Sequence, residues 1–129
     1  MENIAKNEYY ELSFDAIKNQ ILWTMLGFWN SMDLVPNFFS DWDKVTPLTK
    51  SSFTILAHLS NLSAWPKDVF EANMQVQAKL MKKGCRKVAV ITQSVLIEYQ
   101  IKRSTKEAGM IEIVKIFDNI EDAKAWLDE

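Results

Sequence analysis

Apolar and polar positions along the chain follow two rhythms. Residues 8–14 alternate, and in residues 20–28 Ile21, Trp23 and Met25 fall on one face with Leu22, Thr24 and Leu26 on the other. A period of two is that of a β-strand. Both faces of the second segment are mostly apolar, which suits a strand covered on both sides. Lys18 and Asn19 supply a turn between the two segments, so they are read as an antiparallel hairpin.

A helical rhythm follows. Leu34, Phe38, Trp42 and Val45 share one face, with Asp33 as the predicted N-cap, Pro36 in the first turn and Pro47 at the stop. Residues 53–59 form an apolar run that reads as a buried strand. Pro66 opens the second helix at its first position. Its two apolar rows are Val69, Ala72, Val76, Leu80 and Phe70, Met74, Ala78, Met81, and Lys82, Lys83 and Gly84 end it. Residues 87–92 hold the clearest strand, Val88-Ala89-Val90-Ile91.

Residues 95–106 fit two patterns. Val95, Ile97, Tyr99 and Ile101 alternate like a strand, while Ile97 and Ile101 also form an i,i+4 pair. A helix is assigned because parallel neighbours need a crossover of that length. Gly109 closes it. Residues 110–117 are the last strand, and Asp118 with Glu121 gives the final helix a start resembling a capping box. The predicted fold is one α/β domain spanning residues 1–129. It has a five-stranded mixed sheet, an N-terminal hairpin then parallel strands, with four helices in the order ββαβαβαβα.

Composition narrows the functional classes. The chain has 129 residues and a net charge of -2, which is not the positive field of a nucleic-acid binder. No apolar run reaches the ~18 residues of a membrane helix. The polar start, MENIAKNEYY, lacks the apolar core of a signal peptide. Cys85 is the single cysteine and His58 the single histidine, so a Cys/His zinc site cannot be assembled, and a cytoplasmic location is expected. Glycines at 27, 84 and 109 alone exclude the Gly-rich phosphate loops. No cofactor is expected. Aromatic residues reach 12%, with five Trp, enough either to fill a thin core or to line a groove.

The order of elements, and two segments in particular, resemble the SpoIIAA-like fold that includes STAS domains. Ile55-Leu56-Ala57-His58-Leu59-Ser60-Asn61-Leu62 is similar to the STAS strand ending in Asp-Leu-Ser and a hydrophobic residue. The run from Val114 to Leu127, closing on Ala123-Lys124-Ala125-Trp126-Leu127, resembles the last strand and helix of small stand-alone bacterial STAS-like proteins. Gly27 after a Trp-bearing strand also suits the group. The resemblance implies a regulatory module that binds proteins. It departs at the phospho-acceptor turn, where Ala64-Trp65-Pro66-Lys67-Asp68 offers no Ser, and at His58, where the group has Asp. The phosphorylation switch is therefore not carried over.

Candidate binding residues come from the carboxyl ends of the parallel strands, where α/β sheets gather ligands. They are His58, Ser60, Asn61 and Ser63 after one strand, Thr92, Gln93 and Ser94 after the next, and Asp118 and Asn119 after the last. The plainer reading makes them caps and turn formers. A Ser60–His58–Asp118 device is conceivable, but no Gly-x-Ser-x-Gly elbow accompanies it. Lys82 to Lys87 is the densest basic run and reads as a helix end. Trp65, held by Pro66, is either a partner anchor or a staple across a helix start. Trp29 and Trp42 are the other aromatic candidates for a binding surface, and of these Trp42 belongs to the core stripe.

These features lead to an expected non-enzymatic protein-interaction module, meeting a partner or a second copy near residues 58–68. The alternatives are a binder of a small apolar or lipid-like ligand and, more weakly, a small hydrolase using His58 and Ser60.

Overall fold

The computed structural model describes residues 1–62 and 64–129. One mixed sheet holds six strands, β1 (Glu2–Lys6), β2 (Tyr10–Asp15), β3 (Gln20–Met25), β4 (Thr54–His58), β5 (Lys87–Ile91) and β6 (Val114–Phe117). They lie side by side in chain order. The first three pair antiparallel and β3 to β6 run parallel. The α/β class, the four helices and the mixed sheet agree with the sequence reading.

The count of five strands is corrected to six. β1 is a largely exposed edge strand with a bulge between Asn3 and Ala5 and no apolar face of its own. Such an edge is specified by pairing with its neighbour rather than by hydrophobic rhythm. The turn behind it is built by Asn7, whose Oδ1 accepts from Tyr9 N (2.8 Å) and Tyr10 N (2.9 Å). At the next turn, Asn19 sits at φ +53° and exchanges hydrogen bonds with the Lys50 backbone, tying the hairpin to the approach of β4.

The helices are α1 (Phe38–Val45), α2 (Lys67–Lys83), α3 (Val95–Glu107) and α4 (Ile120–Leu127). Residues 95–106 are thus helical. α1 is capped at Asn37, four residues beyond the expected Asp33. Pro36 disfavours helical geometry at Val35 (φ -129°), so Asp33 is confined to a short 3-10 turn capped by Ser31. Pro66 is the N-cap of α2 rather than its first residue, and Asn119, not Asp118, caps α4 through Asp122 N at 2.9 Å. β6 is shorter than expected because residues 110–113 turn, with Ile113 N donating to Met110 O at 3.0 Å.

The topology decides which faces are covered. Parallel strands added in one direction, each through a right-handed crossover, place their helices on the same face. α1, α2 and α3 accordingly share one large core with Tyr10, Leu12, Phe14, Ile21, Trp23, Ile55, Ala57 and Val90. α4 alone lies on the other face, over Leu56, Ala89 and Ile91. Its C-terminal carbonyls are held by the basic run. Lys87 Nζ donates to Trp126 O (2.8 Å) and Arg86 to Leu127 O (3.2 Å). Cations at a helix C-terminus complement its dipole. The basic run is structural at those two residues. Among the described residues, no helix is long and apolar enough to cross a membrane.

Candidate functional site

Three places on the fold carry unusual chemistry: the carboxyl edge of the sheet, a cavity beneath α2 and α3, and the outer groove between those helices.

At the carboxyl edge, the loops after β5 and β6 leave to opposite faces, the arrangement that opens a ligand crevice in α/β sheets. Here the chain closes it. Gln93 Nε2 donates to Asp118 O (2.7 Å), and Thr92 N to Phe117 O (3.1 Å). Thr92 Oγ1 accepts from Ser94 N, and Ser94 Oγ accepts from Ile97 N as the cap of α3. Asn119 caps α4 and also bonds the Asp118 carboxylate (3.0 Å). These polar residues are caps and turn formers, the plainer of the two sequence readings.

His58 closes β4 beside Thr24 of β3 and Ile91 of β5. It shares strand parity with Leu56, and so lies on the α4 face of the sheet. Among the described residues its buried Nδ1 has no partner and no carboxylate bonds the ring, and Asp118 is engaged by Asn119 instead. Ser60 and Asn61 stand in the turn that follows. Ser63 lies outside the described residues. The described residues contain no cluster of three His, Cys, Asp or Glu able to hold a metal ion.

Trp65 does not stand out as a surface anchor. It is only 4% exposed, edge-on to Phe70. Gln100 of α3 grips its backbone at two points, with Oε1 accepting from Trp65 N (2.9 Å) and Nε2 donating to Trp65 O (2.8 Å). This double bond fixes the loop before α2 against α3. Nothing in the sequence marked the pair, which are 35 residues apart.

The Trp65 ring forms part of the wall of a cavity of about 50 Å³ between the sheet and the helices. Trp23, Trp42, Ile55, Val76 and Ile101 are among the other walls. Three lining residues carry buried polar atoms with no partner: Trp42 Nε1, Trp65 Nε1 and Gln77 Oε1. Each such atom costs about 1–3 kcal/mol if left unpaired, and native folds hold few of them. Trp29 is the contrast, since its Nε1 donates to both Tyr9 O (3.0 Å) and Leu26 O (2.9 Å).

Outside the cavity, α2 and α3 form an open groove of about 430 Å³, with Trp65, Phe70, Met74, Leu96 and Tyr99 among its walls. Lys67, Glu71, Arg103 and Glu107 supply mixed charge along it. Of its walls Leu96 is 52% and Tyr99 63% exposed, and Val95, before Leu96 on α3, is 82% exposed.

Two groups have displaced acidities, and both are structural. Burial pushes the Cys85 thiol up to about 12, against smaller opposing effects of the Lys87 carbonyl and Arg86. Its sulfur is thus a protonated, unreactive group rather than a nucleophile. Burial first, then the hydrogen bond to the Asp41 carboxylate, holds the Tyr10 hydroxyl well above the ordinary phenol range.

No family model matches the chain, and neither a curated protein nor a solved structure matches it.

Proposed function

We propose that this chain is a STAS-like protein-interaction module of the cytoplasm, acting without catalysis and without the usual phospho-acceptor serine. Its contact face is the groove between α2 and α3, where it meets a partner protein or a second copy of itself. The observation that carries this reading is the apolar row on α3. Val95, Leu96 and Tyr99, at i, i+1 and i+4, stay exposed on one helical face while the sheet beneath is covered. An aromatic and aliphatic row beside a groove rimmed by both signs of charge is the chemistry of a recognition surface. The order of elements, an antiparallel start followed by parallel strands with intervening helices, supports the family reading. The single, buried Cys85 supports a reducing compartment.

The contact thus shifts from the loop suggested by the sequence to the helix that this loop braces. A photoreactive benzoyl-phenylalanine at position 99, in cells that make the chain natively, is expected to give a discrete adduct of higher mass. Leu96→Glu should abolish that adduct and His58→Ala should leave it intact. The same probe at Ser13, on the other face of the sheet, should give none. Absence of an adduct at position 99, or equal yields at both positions, would rule the contact face out.

A further inference from the structure

We propose that Tyr10 is a radical trap: a one-electron oxidation of the aromatic core comes to rest on its phenol, and the phenolic proton passes to Asp41. The site is independent of the interaction face, because its residues belong to β2, β3, the loop after β3 and α1 rather than to α2 and α3. Four oxidisable rings lie in contact there. Tyr10 is 5.2 Å from Trp23 and 5.8 Å from Trp29, and Trp23 is 5.0 Å from Trp42, centroid to centroid. At such separations an electron vacancy made on one ring reaches the others without a cofactor. Tyr9, half-buried and 6.5 Å from Trp29, brings the chain of rings to the surface.

The proton decides where the vacancy stops. An oxidised indole or phenol is a strong acid, and a neutral radical forms where a base takes its proton. Trp29 Nε1 donates to two backbone carbonyls, Tyr9 O and Leu26 O, which accept hydrogen bonds but not protons. Trp42 Nε1 is buried and has no acceptor among the described residues. Tyr10 Oη is the donor of this cluster that meets a carboxylate, Oδ2 of Asp41. Asp41 is itself only 6% exposed, with Lys44 Nζ 3.6 Å from its other oxygen. A base already within hydrogen-bond reach takes the proton without rearrangement. The steps then balance. A diffusible one-electron oxidant of the oxyl-radical class takes an electron from an indole and is reduced to its anion. Tyr10 gives an electron to the indole radical cation and its Oη proton to Asp41 Oδ2. The indole is restored, the carboxylate becomes a carboxylic acid, and a neutral phenoxyl radical remains on Tyr10. At 1% exposure, Tyr10 is shielded from coupling with a radical on a second chain.

Ultraviolet laser photoionisation of the full chain creates indole radicals whatever their burial, and dissolved oxygen removes the ejected electrons. Tyr9→Phe/Tyr99→Phe leaves Tyr10 as the one tyrosine of three. In that variant, indolyl absorbance is expected to convert to tyrosyl absorbance at a rate independent of protein concentration. Tyr10→Phe, with the other two tyrosines in place, should lose most of the conversion. Asp41→Asn keeps the phenol but removes the base, and should slow the conversion by roughly tenfold or more. Circular dichroism checks that each variant is folded. Should Tyr10→Phe or Asp41→Asn fail to fold, the Tyr9→Phe/Tyr99→Phe chain, frozen after the flash, decides by electron paramagnetic resonance. It is expected to show a phenoxyl radical coupled to one proton that exchanges in heavy water. The proposal is overturned if indole radicals in that chain decay without forming a tyrosyl radical, or if Tyr10→Phe converts as fully as the parent. Equal rates in Asp41→Asn and the parent, or a phenoxyl radical with no exchangeable coupling, would overturn the transfer to Asp41.

Discussion

Trp29→Ala is expected to lower the stability of the fold by about 3–5 kcal/mol, a large part of what an ordinary domain possesses. The residue follows β3 in a loop, where sequence alone gives no reason to expect a keystone. Yet its side chain is fully buried. The ring lies 5.8 Å from Tyr10, 6.3 Å from Trp23 and 6.0 Å from Phe38, centroid to centroid, the last two edge-on. Its indole N–H joins Tyr9 O, before β2, to Leu26 O, after β3. Alanine would remove the ring contacts and withdraw one donor from two carbonyls together. Urea unfolding measures the loss. The neighbouring Phe28→Ala, at a side chain 61% exposed, should stay within about 0.5 kcal/mol of the parent. A loss below about 1 kcal/mol for Trp29→Ala would contradict this packing.

The second large effect is alkaline destabilisation. Cys85 and Tyr10 are both held protonated in the fold, the thiol to about 12 and the phenol above its ordinary value. In the unfolded chain the thiol loses its proton near pH 8.5–9 and the phenol near 10. Above those values the unfolded chain binds fewer protons than the folded one, so stability must fall as pH rises. It is fully present below pH 8 and declines by up to about 1.4 kcal/mol per pH unit for each group so held. Cys85→Ala should delay the onset of that decline, and Tyr10→Phe should flatten its upper part. Tyr10→Phe should also cost about 1.5–3 kcal/mol at neutral pH, because the buried Asp41 carboxylate loses its phenolic donor. Denaturation midpoints between pH 7 and 11 measure both. A flat profile for the parent chain would show that neither group is buried as described.

The interior elements were legible because their rhythm records burial. β4 and β5 are apolar on both faces since helices cover both, and α2 and α4 carry apolar faces that match the core. What the sequence hid depends on neighbours rather than on rhythm. β1 takes its strand conformation from the edge of β2 and has no buried face to announce it. The start of α1 was misplaced because Pro36 acts on the residue before it, and the Asp33 signal was the stronger locally. For the site, the polar turn after β5, with Ser94 as the cap of α3, is readable from local spacing, whereas the cap of α4 falls on Asn119 in place of the expected Asp118. The cavity is not readable in that way. Its walls come from α1, the loop before α2, α2 itself and the sheet, and only folding brings Trp42, Trp65, Gln77 and Trp23 to one chamber. The aromatic excess was the single hint in the sequence, and most of it went into the core around Trp29. Trp65 fits both an anchor and a packed staple by sequence, and its burial comes with the grip of Gln100 on its backbone, a tertiary contact that local spacing does not record.

The most direct test of the interaction reading is native mass spectrometry of the chain drawn gently from cells that make it. The account predicts that it flies as a dimer or with a second protein. Leu96→Glu and Tyr99→Glu together should return it to a monomer with an unchanged far-ultraviolet circular dichroism spectrum. A parent chain that is monomeric throughout, or a complex that survives both substitutions, would contradict the assignment of the α2–α3 groove as the contact face.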